Sequence, residues 1–138
     1  MARDLFHNIV RASLENDNWR ISQDPYRLPL SARTLEIDLG AEQIIAAENG
    51  VEKIAVEVKS FLKDSFIYEF YSVLGQYLVY QEFLSRQEPD RQLYLAVSDE
   101  VYKLRFVNDK DVLHICRKYE LKMLIFNKLD FVIESWIK

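Results

Sequence analysis

Residues 93 to 97 read Leu-Tyr-Leu-Ala-Val, a continuous apolar run of strand length. Successive side chains of a strand point to opposite faces, so such a run leaves neither face for water and suits a sheet covered on both sides. Helical segments flank it in the chain. Phe66 to Leu84 is the strongest, with Phe70, Leu74, Tyr77 and Leu78 at i, i+4, i+7 and i+8, and Gln87-Glu88-Pro89-Asp90 stops it. Asp109 to Tyr119 predicts another helix and Lys122 to Phe126 another strand, whereas the last ten residues fit either a helix or a strand.

Upstream, Leu5, Phe6, Ile9, Val10 and Leu14 recur at helical spacing and predict an amphipathic helix from about residue 3 to 16, ended by Asn16-Asp17-Asn18. Trp19 to Ser22 reads as a short strand. Pro25 and Pro29 then predict an irregular connector, because a proline cannot donate to an interior ladder. Two strands follow. Leu35, Ile37 and Leu39 alternate with Glu36 and Asp38, and Ile54, Val56 and Val58 alternate with Glu57 and Lys59, so each strand is apolar on one side and carries carboxylates on the other. Asn49-Gly50 supplies the positive φ angles of a two-residue hairpin turn between them. The predicted order is α-β-β-β-α-β followed by further α and β elements, in a single domain spanning residues 1–138 without internal repeats.

Composition narrows the function classes. With 49% hydrophobic residues in 138, the chain can bury a full core. It holds no apolar run of membrane-spanning length, and Met-Ala-Arg-Asp-Leu-Phe-His lacks the apolar core of a secretion signal, so a cytoplasmic protein without membrane contact is expected. Cys116 is the single cysteine, which excludes an intrachain disulfide, and with two histidines a Cys/His zinc site is not expected. Net charge is −4, against broad electrostatic wrapping of nucleic acid, but residues 101 to 138 carry 8 basic and 5 acidic groups, so a local contact stays open there. Phe131 and Trp136 near the C-terminus serve either as core or as an interface, which leaves a homo-oligomer open.

The chemistry resides in the carboxylates. Asp38 and Glu57 are hard oxygen ligands suited to Mg²⁺ or Mn²⁺, with the Val58 carbonyl as a third ligand, and Lys59 is placed to orient a water or stabilise a developing anion, the requirements of phosphodiester hydrolysis. Gln76 and Tyr80, four residues apart, share a helix face from which they could touch a phosphate or brace the lysine. Gly75 precedes them. A mid-helix glycine costs about 1 kcal/mol relative to alanine, a cost that close approach of another backbone or a ligand would explain. One geometric difficulty arises, because pairing from the Asn49-Gly50 turn sets Asp38 opposite Phe61, about 13 Å along the strand from Glu57. A bulge or sharp bend near Gly40 is therefore expected; without it, Glu42 would stand opposite Glu57.

Acid on one strand, Glu-x-Lys on the next and Gln-x-x-x-Tyr on the following helix resembles the PD-(D/E)xK superfamily of restriction endonucleases, Holliday junction resolvases and the RecB nuclease domain. More closely, Glu36-Ile-Asp38-Leu-Gly-Ala-Glu42, Ile54-Ala-Val-Glu57-Val-Lys59-Ser-Phe61 and Gly75-Gln76-Tyr77-Leu-Val-Tyr80 resemble the XisH family, cyanobacterial controlling factors for excision of the fdxN element during heterocyst development. The resemblance spans essentially the whole chain. It implies an α/β (α+β) restriction-endonuclease-like fold, with a mixed central sheet flanked by helices. It also implies Asp38, Glu57 and Lys59 as the catalytic triad, Gln76 and Tyr80 as the helix motif, Mg or Mn as cofactor, and DNA, a XisI-like protein and a site-specific recombinase as partners. There are two departures. Ile37 stands where the superfamily name places proline. Resolvase-like members often carry a metal-aiding glutamate on the first helix, and His7 occupies that turn here, with Asp4 on the same face to compensate; Asp4, His7 and Glu36 are the additional candidates for metal binding or support. The implied function is a metal-dependent DNA nuclease acting in element excision. The alternative is a catalytically silent accessory protein that binds XisI or the recombinase, and an RNA-directed nuclease fits the same residues.

Overall fold

A computed structural model describes residues 4–45 and 50–138 of the chain. In order the elements are α1 (His7–Asn16), β1 (Arg20–Gln23), β2 (Tyr26–Pro29), β3 (Thr34–Ile37), β4 (Leu39–Ile45), β5 (Gly50–Val58), α2 (Phe66–Gln87), β6 (Arg91–Ser98), α3 (Asp99–Val101), a π-helical stretch (Tyr102–Val107), α4 (Lys110–Lys118), β7 (Met123–Asn127) and β8 (Val132–Ile137). The apolar run at residues 93 to 97 lies inside β6, in the interior of a six-stranded sheet ordered β1-β4-β5-β6-β7-β8. β5, β6 and β7 run parallel, and the remaining pairs are antiparallel.

Both faces of that sheet are covered, and strand alternation decides which side chain goes where. Ala55, Leu93, Leu95, Val97, Met123 and Ile125 pack with Phe70, Val73, Tyr77 and Leu84 of α2, Phe106 of the π-helical stretch and Val112 of α4. Ile54, Val56, Val58, Tyr94, Ala96, Leu124 and Phe126 pack on the other side with Phe6, Val10 and Leu14 at α1. The result is a mixed central sheet flanked by helices, consistent with the α/β nuclease-like fold that the resemblance implies. Among the described residues no helix is long and apolar enough to cross a membrane.

Several expectations need correction. α1 starts at His7 because the Asp4 carboxylate accepts the Phe6 amide at 2.9 Å and fixes the entry, leaving Leu5 exposed. The segment holding Pro25 and Pro29 is not irregular: Tyr26 to Pro29 form β2, which pairs with β3 in a separate two-stranded sheet, with Pro29 at the end of its strand. The strand predicted through Leu35 to Leu39 is broken at Asp38. Ile37 packs on the α2 side and Leu39 on the α1 side, so the alternation does not run through.

The register difficulty disappears for a different reason from the one expected. Ile45 pairs with Gly50 and Leu39 with Val56, a ladder without a shift, which carries Asp38 opposite Glu57 and sets Glu42 against Lys53. The Asn49-Gly50 pairing is thus not adopted, and residues 46–49, on which that turn falls, lie outside the described residues. A bulge does occur at Gly40, but in the β1–β4 ladder, between Ile21 and Gln23. Tyr26 packs against Gly40 so closely that an added Cβ would stand 2.9 Å from its ring. Gly75, by contrast, has nothing within 4 Å of an added Cβ among the described residues, so no close approach by them explains it.

The last residues form β8, antiparallel to β7. Trp136 belongs to the packing there, with its ring centroid 5.7 Å from Trp19 and 4.9 Å from Tyr94, whereas Phe131 is exposed. Cys116 is buried, and burial pushes its thiol up to about 11, an inert state.

Candidate active site

Asp38 occupies the one residue between β3 and β4, where the chain leaves the small sheet for the large one. At that seam side chains replace ladder bonds. The Asp38 amide donates to Glu57 Oε1 at 3.2 Å, and the Val58 amide donates to Asp38 Oδ2 at 2.7 Å. Each acid is held by the other strand's backbone, and the two carboxyl groups are brought together. Glu57 is 7% exposed on the α2 side of β5, and Lys59 Nζ lies 3.5 Å from its Oε2.

The electrostatics follow from that placement. Burial, and then the Asp38 carboxylate beside it, push the Glu57 carboxyl up to about 8 against the opposing pull of Lys59. Two adjacent carboxyls in a desolvated site cannot both ionise cheaply, and a cation relieves exactly such a pair's repulsion in either of two ways, as a lysine ammonium or as a metal ion. Tyr80 is also raised, to about 12, by burial and then by the charge of Glu57.

An open cleft of about 610 Å³ is lined by all nine residues singled out from the sequence: Asp4, His7, Glu36, Asp38, Glu57, Val58, Lys59, Gln76 and Tyr80. Their roles within it differ. Both oxygens of Asp4 are engaged by backbone amides, those of Phe6 at 2.9 Å and Ser60 at 2.8 Å, so Asp4 ties the entry of α1 to the end of β5. Glu36 pairs with Arg27 at 3.4 Å. Gln76 Nε2 donates to the Tyr80 hydroxyl at 2.8 Å, and that hydroxyl donates to the Glu36 carbonyl at 3.2 Å, so the helix pair braces the backbone two residues before Asp38. His7 is buried, with Nε2 2.9 Å from Asp24 Oδ1 and Nδ1 3.8 Å from Asp38 Oδ1, too far for a hydrogen bond.

Asp24 is the residue that sequence reasoning missed. It also accepts from Arg11 Nη1 at 2.6 Å, and so fixes two side chains of α1 against the cleft. Its only signal was its position before Pro25 in a segment that read as connector. Among the described residues no three His, Cys, Asp or Glu side chains are grouped to hold a metal ion. Two carboxylates are nevertheless a sufficient protein contribution for Mg²⁺ or Mn²⁺, which usually keep several waters and use one or two carboxylates plus a substrate phosphate. The donor set therefore fits such an ion.

The family model for XisH protein matches residues 1–134. No curated protein matches. The crystal structure of an XisH family protein from Nostoc punctiforme PCC 73102 is 40% identical, with a TM-score of 0.87, covering 98% of this chain and 100% of that one. The crystal structure of an fdxN element excision controlling factor protein from Anabaena variabilis is likewise 40% identical with a TM-score of 0.87, covering 99% and 100%. Identity at that level along the full length of both neighbours, on a backbone this similar, makes the chain a member of the XisH family.

Proposed function

We propose that this chain is a metal-dependent endonuclease that hydrolyses DNA phosphodiesters during programmed excision of a DNA element. The observation that carries the reading is the pair of the half-buried Asp38 and the buried Glu57, with Lys59 3.5 Å from Glu57, facing an open cleft. Asp38, Glu57 and the Val58 carbonyl would hold Mg²⁺ or Mn²⁺; when bound, such an ion neutralises phosphate charge and activates water. Lys59 orients the attacking water or stabilises the developing anion. Gln76 and Tyr80 keep the β3 backbone, and with it Asp38, in position. The Anabaena neighbour's designation as an fdxN element excision controlling factor supports a DNA element as the setting; a XisI-like protein and a site-specific recombinase are the partners that the sequence resemblance implies.

A second reading, a nuclease-fold accessory protein that acts by binding those partners, draws support from the acid-rich cleft, where six acidic residues face Arg27, Lys59 and Lys63. One experiment separates them. Supercoiled, linear and branched DNA, with RNA beside them, are incubated with Mn²⁺ or Mg²⁺ and the purified protein, alone and with a XisI-like protein. Metal-dependent cleavage lost in Glu57→Ala and Lys59→Ala is the expected result. Equal background in wild type and variants, with partner binding intact, supports the accessory reading.

A further inference from the structure

The outward face of α2 is apolar and, among the described residues, nothing packs on it. Tyr68 is 70% exposed, Tyr71 58%, Val79 48% and Leu78 38%, and Gly75 lies among them with open space where a Cβ would stand. These positions recur at three- and four-residue spacing, so they form one continuous stripe along the helix. Glycine is the poorest helix former after proline, yet nothing among the described residues requires it here. What glycine does provide is room: another helix laid across it can come closer than the usual 8–10 Å between packed helix axes.

We propose that this face pairs with the same face of a second copy of the chain, the two α2 helices antiparallel and crossing at Gly75. The pattern on α2 is self-complementary about that residue. Counting outward from Gly75, about three turns on either side bring Tyr71 level with Val79, Tyr68 with Glu82, and Arg86, which also pairs with Glu82 of its own helix, with the acidic approach to the helix at Asp64. The Tyr71 ring then covers the partner's Val79, and the Tyr68 hydroxyl lies level with the partner's Glu82. The antiparallel arrangement also sets the positive end of each helix dipole beside the negative end of the other. Nucleic acid does not suit this face, because residues 68 to 79 include no lysine or arginine to contact phosphate.

The test is sedimentation equilibrium of the full chain across about 1 to 100 µM, with Gly75→Lys and Gly75→Cys beside wild type. Open space around Gly75 lets both variants keep the fold, which circular dichroism and thermal unfolding check. The expected result is a wild-type mass rising to twice that of the chain, a Gly75→Lys variant at least tenfold weaker in association, and Gly75→Cys cross-linking to itself under mild oxidation. Cys116 is buried and does not compete. A wild-type chain monomeric throughout overturns the proposal and leaves the face to a different protein. A dimer untouched by Gly75→Lys, with no cross-link in Gly75→Cys, overturns it equally, by assigning self-association to another surface. This inference stands apart from the nuclease reading, since no residue changed in the test lines the cleft.

Discussion

Glu57 is the residue on which the cleft's electrostatics turn. Its carboxyl is raised from the ordinary 4.5 to about 8 by burial and by Asp38, with Lys59 opposing and Tyr80 also facing it. The folded chain therefore holds the Glu57 proton more tightly than the unfolded chain does. That stabilisation is full below about pH 4.5 and is lost as pH rises toward 8. Glu57→Gln keeps the group neutral at every pH, so its stability relative to wild type should improve between about pH 5 and pH 8. Urea unfolding of both proteins at the two pH values measures this; parallel profiles would mean that Glu57 ionises freely in the folded chain. That Asp38, Glu57 and Lys59 share one cleft agrees with their order in the chain, although the alternation expected through Leu35 to Leu39 breaks at Asp38. Asp24 was not legible in the sequence, because its contacts with His7 and Arg11 cross 17 and 13 residues, and no periodicity encodes them.

At the scale of elements, β6 shows what a local pattern does and does not reveal. Its apolar run announced a strand buried on both faces, as found. Its first residue, Arg91, carries a tertiary role that the pattern conceals. The Arg91 guanidinium is buried, donates to the Ile54 carbonyl at 2.9 Å and to Glu88 at 2.9 Å, reaches Glu42 at 3.3 Å and lies 4.8 Å over the Tyr26 ring. One side chain thus joins β2, β4, β5 and the end of α2. Arg91→Ala removes the guanidinium from the buried Ile54 carbonyl and from Glu42 and Glu88, which keep Arg20, and Tyr26 and Lys53, respectively, and should cost about 2–4 kcal/mol in chemical denaturation. A loss under about 1 kcal/mol would show that water replaces it. The β2–β3 hairpin was hidden by its prolines. The β4–β5 register differs by four residues from the one expected from Asn49-Gly50, because register follows which strand faces are buried and not a turn signal alone.

Over the whole molecule, charge is distributed against unaided binding of nucleic acid. Net charge is −4, and the cleft itself is lined by six acids and three basic residues. If DNA enters this cleft, a divalent cation must first offset the carboxylates. Fluorescence anisotropy of a labelled duplex at low salt should therefore give at least about tenfold weaker binding in EDTA than in Mn²⁺, and Asp38→Asn should abolish the difference. Equal affinity in both would direct DNA to another surface. That the sheet is covered on both faces was legible because apolar periodicity dictates how many faces need cover, whereas its mixed character came with the family resemblance. Sheet order was not legible, since it depends on pairings between distant segments, such as β1 with β4.

The seam at Asp38 also makes the cleft observable without any substrate. The backbone N–H groups of Asp38 and Val58 end on the carboxylates of Glu57 and Asp38 themselves. Whatever engages those oxygens must alter the magnetic environment and the solvent exchange of the two amides. Two resonances in an amide correlation spectrum therefore serve as a built-in reporter, responding as Glu57 titrates and shifting on cation addition, in a protein that needs no label at the site.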